Sequence, residues 1–533
     1  MANGERRLFR IILNNFFNSL RPRQIRGNDM GTDYLGNKYY EIPAEPSLGK
    51  RKPTRWYDPP KGQDFQDPLP SEWESWLRMR REDVPTAEEI ATNLAIAKLK
   101  KENAAKIEAE RLADGGSVPS VVEKGPDMAP QNLSSKEIFA LEDKFGCRNY
   151  APVPVALCRG EGVYVWDVEG KKYYDCLSAY SAVNQGHCHP RIVNALKKQA
   201  EKLTLVSRAY YTDQLCIYEK FMTELFGFDR LLPMNTGVEG GESACKIARK
   251  WAYDVKKVPA NEAKIIFAEG NFWGRTLSAV SASSDPSCFS GFGPYMPNFK
   301  LVPYNDIPAL EVKLQDPTVA AFMVEPIQGE AGVIIPDDGY LRKVRELCTK
   351  YNVLWIADEV QTGLGRTGKL LAVDHEGVRP DILILGKALS GGTMPVSAVL
   401  ANNSVMDVIT PGTHGSTYGG NPLACAVATE SMKVLLEENL LQNAERLEKI
   451  FREELEKIPK NLITTVRGRG LMFAIVVNDS NGYEVVLKLR DAGLLAKTTH
   501  EHIIRLAPPL VITEQQIRDC AKIIRDVFLT FQK

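Results

Sequence analysis

Short, unbroken apolar runs of strand length recur in the second half of the chain and are separated by helical stretches: residues 265–267 (IIF), 320–324 (AAFMV), 353–357 (VLWIA) and 382–385 (ILIL). Alternation of this kind argues for an α/β domain on a largely parallel sheet. Two of the runs end in charge. Lys387 stands where Ile382-Leu383-Ile384-Leu385 breaks, ahead of the turn Gly391-Gly392, and the run from residue 353 closes on Asp358. Strand-end lysines ordinarily snorkel to solvent. One set among small residues is costly to bury unless it does chemistry. Lysine together with a strand-end aspartate is the pair that a pyridoxal phosphate enzyme needs. The amine bonds to the cofactor's aldehyde, and the carboxylate holds a proton on the pyridine nitrogen.

Other residues extend this reading. Residues 235–242 (NTGVEGGE) lead from a loop into a helix expected over 243–255. Small residues at a helix start leave backbone N–H groups open to a phosphate, though the same text serves as a packing turn. Residues 414–422 (HGSTYGGNP) are a second candidate, through adjacent hydroxyls. Phe272-Trp273-Gly274-Arg275 offers a ring to lie against a cofactor and a guanidinium fork suited to a carboxylate. Arg505 stands in apolar text (IIRLAPP), where a buried arginine needs an anionic partner. A structural salt bridge is the plain alternative for both arginines.

The 533 residues suggest about three domains, and a formal net charge of zero gives no reason to expect a nucleic-acid partner. No apolar stretch approaches the ~18 residues of a membrane-spanning helix. All ten cysteines lie at or after Cys147 without CxxC spacing. Cys188 sits between His187 and His189, but no second cluster completes a tetrahedral ligand set, so no metal is expected. The start of the chain is basic. Arg6, Arg7, Arg10, Arg21, Arg23 and Arg26 face only Glu5, and Leu8, Phe9, Ile11, Ile12, Phe16, Phe17 and Leu20 can share one helix side. That is the pattern of a mitochondrial transit segment or a membrane-surface helix. Residues 28–85 are rich in Pro, Gly, Trp, Tyr and charge with little clean periodicity. Residues 86–113 read as one charged helix, with Thr86 at the N-cap and Glu89 at the capping-box position. Gly, Pro and Ser then mark a flexible linker over 115–134. The expected division is therefore 1–114, linker 115–134, a large domain over 135–430, and a small α+β domain over 431–533.

From about residue 136 to 527 the chain resembles the ornithine aminotransferases, class-III aminotransferases of pyridoxal phosphate fold type I. The segments that carry the resemblance are 271–277, 325–332 (EPIQGEAG), Ala357-Asp358 with 361–364, 386–392 and 414–423. It implies a large parallel-sheet domain with a small α+β C-terminal domain, pyridoxal 5'-phosphate as cofactor, and a homodimer or higher homo-oligomer. It also implies transfer of the δ-amino group of L-ornithine to 2-oxoglutarate, giving glutamate 5-semialdehyde, which cyclises to pyrroline-5-carboxylate, and glutamate. By the same resemblance Lys387 is the lysine bonded to the cofactor and Asp358 the partner of its pyridine nitrogen. Gln361 lies near the ring's 3-hydroxyl, Gly237 and Val238 form the phosphate loop, and Phe272 stacks on the ring. Ser416 and Thr417 reach the neighbouring subunit's phosphate. Arg275 holds the ornithine α-carboxylate, Tyr150 lies near its α-amino group, and Tyr180 favours ornithine over smaller ω-amines. Glu330 and Arg505 are the pair that joins for ornithine and parts for 2-oxoglutarate. Another ω-aminotransferase, acting on acetylornithine or 4-aminobutyrate, is the alternative. Two departures, a loop over 478–483 that looks short and Thr498 where proline is frequent, touch none of these positions.

Residues 31–41 (GTDYLGNKYYE), 69–78 (LPSEWESWLR) and 85–89 (PTAEE) carry a second resemblance, over about residues 5–110, to the respiratory complex I accessory-subunit and assembly-factor (mimitin-like) family. It implies no catalytic residues, and it makes complex I intermediates a partner of this region. An assembly factor carrying an enzyme domain is a further alternative. Both resemblances imply mitochondria, and for the enzyme the matrix.

Overall fold

The computed structural model describes residues 27–46, 52–60, 69–96, 98, 133–478 and 481–532. The basic segment at 6–26, residues 99–113 of the charged helix and nearly all of the linker lie outside them. The chain forms two units, Met1–Pro130 and Gln131–Lys533.

In the first unit β1 (Asn28–Thr32), β2 (Lys38–Ile42) and β3 (Thr54–Asp58) form an antiparallel sheet, joined by the helix α1 (Ser71–Leu77). The buried carboxylate of Asp33 ties the β1–β2 turn. It accepts the N–H groups of Leu35 and Asn37, the Asn37 amide and the Tyr39 hydroxyl. Trp73 of α1 stacks on Tyr39 with centroids 3.9 Å apart, and Trp76 meets both edge-on. The tryptophans and tyrosines that lacked periodicity in sequence are thus the small core of a folded unit. Arg55 Nε meets Glu41 at 2.6 Å, and its Nη1 donates to the carbonyls of Trp76 and Arg81. Thr86 caps the next helix by accepting the Glu89 N–H. The Glu89 carboxylate pairs with Arg81.

In the second unit β4 (Leu157–Glu161), β5 (Tyr164–Asp167) and β6 (Lys172–Asp175) form a small sheet completed later by β16 (Leu494–Leu495). The central sheet comprises β7 (Arg230–Met234), β8 (Lys264–Ala268), β9 (Phe299–Val302), β10 (Val319–Val324), β11 (Leu354–Asp358), β12 (Ile382–Leu385) and β13 (Ser397–Ala401). Its order is β7-β13-β12-β11-β10-β8-β9, and only β13 runs against its neighbours. Both faces of the inner strands are covered, which is why β8, β10, β11 and β12 read as unbroken apolar runs. Phe322 and Val324 of β10 enter one apolar layer, and Ala321 and Met323 the other.

One element differs from expectation. The helix α2 (Gly237–Asp254) starts six residues before 243. Thr236 accepts the Glu239 N–H and Glu239 returns to the Thr236 N–H, a capping box that pulls the glycines into the helix. The glycines then allow close approach. A Cβ on Gly241 would stand 2.5 Å from the Trp273 ring, and one on Gly240 2.9 Å from Ile384. The last sheet, in the order β14 (Ile463–Arg469), β15 (Met472–Val477), β18 (Ile503–Leu506), β17 (Lys497–Thr499), is antiparallel and is packed by helices. The helix α3 (Pro422–Glu437) runs through residue 430, and beyond its end Asn439 has φ 56°. Among the described residues no helix is long and apolar enough to cross a membrane.

Candidate active site

β11 and β12 are parallel neighbours, with Asp358 opposite Ile384, so Asp358 and Lys387 emerge at the same edge of the sheet. Strand C-termini of an open α/β sheet are where ligands bind. Lys387 follows the turn at Gly386 with φ 41°, a strained value for a side chain of its size. The start of α2 closes on the same point. A Cβ on Gly237 would stand 2.9 Å from Val360 Cγ1, and one on Gly386 3.5 Å from Gly237 Cα. Three turns, after β7, β11 and β12, therefore converge.

Burial dominates the electrostatics here. It lowers the Lys387 amine to about 7; the charge of Arg505 acts in the same direction, and Asp358, Glu325 and Glu330 oppose it. It raises Asp358 to about 6 against the Val360 N–H, 3.1 Å away, and Lys387. It raises Glu325 to about 8, with Asp358 adding to the rise; the N–H groups of Gly329 and Phe272 oppose it. An amine near neutrality at physiological pH, beside an acid, suits proton transfer.

Arg505 is 1% exposed and projects from β18. Its Nη2 donates to Gln361 Oε1 at 2.8 Å, its Nη1 lies 3.5 Å from Glu330, and the guanidinium stands 5.5 Å from the Tyr180 ring centroid. Its Nε and Nη1 make no hydrogen bond. Burial lowers its affinity for protons, and Glu330, Glu325 and Tyr180 counter this. A buried guanidinium with spare donors is matched to an incoming carboxylate. Tyr180 is held above its usual range by burial and by Glu330.

Phe272 is fixed through its N–H to Glu325, and Arg275 lies exposed over the Phe272 ring at 5.6 Å. Arg275, Phe272, Glu330, Asp285 and His500 line an open cavity of about 600 Å³. Val238 packs on Gly274 so closely that a Cβ there would be 2.3 Å from its Cγ2. Ser416 accepts from Asn235 Nδ2 and from the Gly419 N–H, both at 3.0 Å. Thr417 is exposed, and Tyr150 is 75% exposed. His187 and His189 face separate carboxylates, Asp175 and Glu438, and among the described residues no group of ligands could hold a metal.

Glu325 has no role legible in the sequence, yet the fold sets it between Asp358 and Phe272. Its signal was the one that marked Asp358, a carboxylate ending an apolar strand. Arg366 was missed altogether. It is fully buried and donates to the carbonyls of Leu471 and Pro508 and to Asn184.

Residues 145–528 match the family "Aminotransferase class-III", and residues 27–114 match "NADH ubiquinone oxidoreductase subunit NDUFA12". Among curated proteins, the chain is 66% identical over 397 residues to the mitochondrial ornithine aminotransferase of Drosophila melanogaster, covering 74% of this chain and 92% of the relative. Among solved structures, the ornithine aminotransferase of Toxoplasma gondii ME49 superposes with a TM-score of 0.74 at 51% identity, over 75% of this chain and 96% of that one. The acetylornithine aminotransferase of Elizabethkingia anophelis superposes at 0.69 with 56% identity, over 75% of this chain and all of that one. The family match, the relatives and the solved structures agree: the chain belongs to the class-III aminotransferase family, in its ornithine aminotransferase branch.

Proposed function

We propose that this protein transfers the δ-amino group of L-ornithine to 2-oxoglutarate in the mitochondrial matrix, as a homodimer with pyridoxal 5'-phosphate. The observation that carries the reading is buried Arg505, with donors unfilled and Glu330 and Tyr180 beside it, near enough to Lys387 for its charge to act on that amine. A carboxylate partner there suits a dicarboxylic acceptor.

The residues fit the cofactor. A lysine amine brought to about 7 suits covalent capture of an aldehyde. Asp358 is a buried carboxyl whose proton affinity is raised, and the N–H groups at the start of α2 suit a phosphate. When bound, pyridoxal phosphate supplies the aldehyde that takes the amino nitrogen and a ring that withdraws electrons from the carbon bearing it. Asp358 would hold the proton on the ring nitrogen. Gly237 and Val238 would hold the phosphate, Phe272 would face the ring and Gln361 its 3-hydroxyl, while Ser416 and Thr417 would serve the partner subunit's phosphate. Arg275 orients the α-carboxylate and Tyr150 the α-amino group of ornithine. Tyr180 selects the donor. Lys387 Nζ would take the proton from the δ-carbon as base and, as the ammonium so formed, return it to the bound cofactor as acid, regaining its free amine. Glu330 neutralises Arg505 while ornithine is bound and releases it to the acceptor's carboxylate.

A panel of ornithine, N-acetylornithine and 4-aminobutyrate tests the donor, and a clear preference for 4-aminobutyrate or N-acetylornithine would overturn the assignment. The match of residues 27–114 supports a second reading, in which the first unit docks the enzyme on complex I intermediates. Migration of the full chain with those intermediates on native gels is the expected result. Migration solely as free oligomer would sink it.

A further inference from the structure

Four successive non-glycine residues, Ser178, Ala179, Tyr180 and Ser181, have φ of 48°, 47°, 59° and 71°. With ψ of 48° and 47° at Ala179 and Tyr180, this is a full left-handed turn. Side chains disfavour that conformation, and it persists only where the surroundings impose it. The hydroxyls of Ser178 and Ser181 are also buried without a hydrogen-bond partner, so its side chains add nothing to the backbone bonds from the Tyr180 N–H to the Leu177 carbonyl and from the Ala182 N–H to that of Ser178.

The constraint comes from both ends. At the entry, Asp175 is 8% exposed, and its Oδ1 accepts the N–H groups of Leu177 and Ser178 at 2.8 and 2.9 Å. Its Oδ2 is held by His187 Nε2 at 2.7 Å. At the exit, Asn184 Nδ2 donates to the Leu364 carbonyl and Gln185 Nε2 to that of Ala388, the residue after Lys387. Between the two clamps the turn holds Tyr180 over the Arg505 guanidinium.

We infer that Asp175, braced by His187, is a positioning residue for donor specificity: it imposes the left-handed turn that lays Tyr180 over Arg505. The inference rests on the reading of Tyr180 as the residue that selects ornithine.

The test is a double-mutant cycle on the full-length holoenzyme, reading the ratio of kcat/KM for ornithine to that for 4-aminobutyrate. Asp175→Ala should lower this ratio by about tenfold or more, within the range that pocket contacts discriminate. Asp175→Asn keeps an oxygen for both N–H groups and should stay within about threefold of the parent. In a Tyr180→Ala background, Asp175→Ala should change the ratio by less than about twofold, because the two share one effect. An unchanged ratio in Asp175→Ala, or an equal fall in the Tyr180→Ala background, overturns the inference. If Tyr180→Ala itself leaves the ratio unmoved, the reading of Tyr180 fails first and takes this inference with it, a distinct pattern. Cofactor absorbance and melting temperature check folding. Should Asp175→Ala not fold, His187→Ala, which removes only the brace, substitutes for it. It should lower the ratio in the same Tyr180-dependent way, and a ratio unmoved by His187→Ala overturns the inference.

Discussion

At the scale of single residues, the site combines groups whose ionisation burial has moved toward neutrality. Lys387→Ala should abolish both the absorbance of the lysine-bound cofactor and multiple turnover; a spectrum and a progress curve check this. Asp358→Asn should keep cofactor and fold yet lose on the order of a hundredfold or more in kcat, since the ring nitrogen loses its anionic partner. Near-normal kcat with full cofactor occupancy would reject the role. Glu359 gives a pH prediction apart from the cofactor. Burial raises its carboxyl to about 7, against hydrogen bonds from Thr362 and the Val373 N–H. Between its ordinary value of 4.5 and 7 the folded protein holds a proton that the unfolded chain releases. The contribution of this group to stability therefore falls as pH rises through that window. Glu359→Gln has no proton to lose, so its loss of stability from pH 4 to pH 8 should be smaller than the parent's, by about 3 kcal/mol at most. Paired denaturation curves measure it, and equal losses would refute it.

At the scale of elements, close approach of backbones decides more than propensity does. Gly274 has φ 142°, and a Cβ would lie 2.3 Å from Val238 Cγ2 in the first turn of α2. Gly274→Ala should cost about 2 kcal/mol or more and weaken cofactor retention, because Val238 must move. Gly162→Ala is the control. Its φ is 57° with nothing within 4 Å of the added methyl, so only the backbone cost of about 1 kcal/mol remains and the cofactor stays bound. Urea denaturation and dialysis of the holoenzyme separate the two. Four strands of the central sheet, β8, β10, β11 and β12, were legible in sequence because strands covered on both faces read as unbroken apolar runs, whereas β7, β9 and β13 were not read. The start of α2 was misplaced because glycine reads as a breaker, whereas the Thr236–Glu239 capping box and contact with Trp273 and Ile384 hold it in the helix. The strands of the first unit were not legible at all. Their core is three aromatic side chains brought together from β2 and α1, without period.

At the scale of the whole molecule, each of the two units has its own core, and every proposed site residue lies in the second. A chain beginning at Ser134 should fold, bind cofactor and turn over ornithine at close to the full-length rate. Failure to fold, or lost turnover at full occupancy, would show that the first unit is needed. Arg55→Ala should unfold the first unit, since Arg55 joins Glu41 to the Trp76 and Arg81 carbonyls, and should leave kcat unchanged. By itself the sequence determined the class of the sheet, the lysine and aspartate at its strand ends, and the family of each part. These are local facts, written in apolar runs and in motifs of adjacent residues. Only the tertiary structure decided that Glu325 joins that pair, that Arg505 is buried with donors to spare, and that Asp175 and His187 brace a left-handed turn beneath Tyr180. Burial depends on what every other element covers, and an ionisable group's proton affinity follows its burial, so neither is written in the residues adjacent to it.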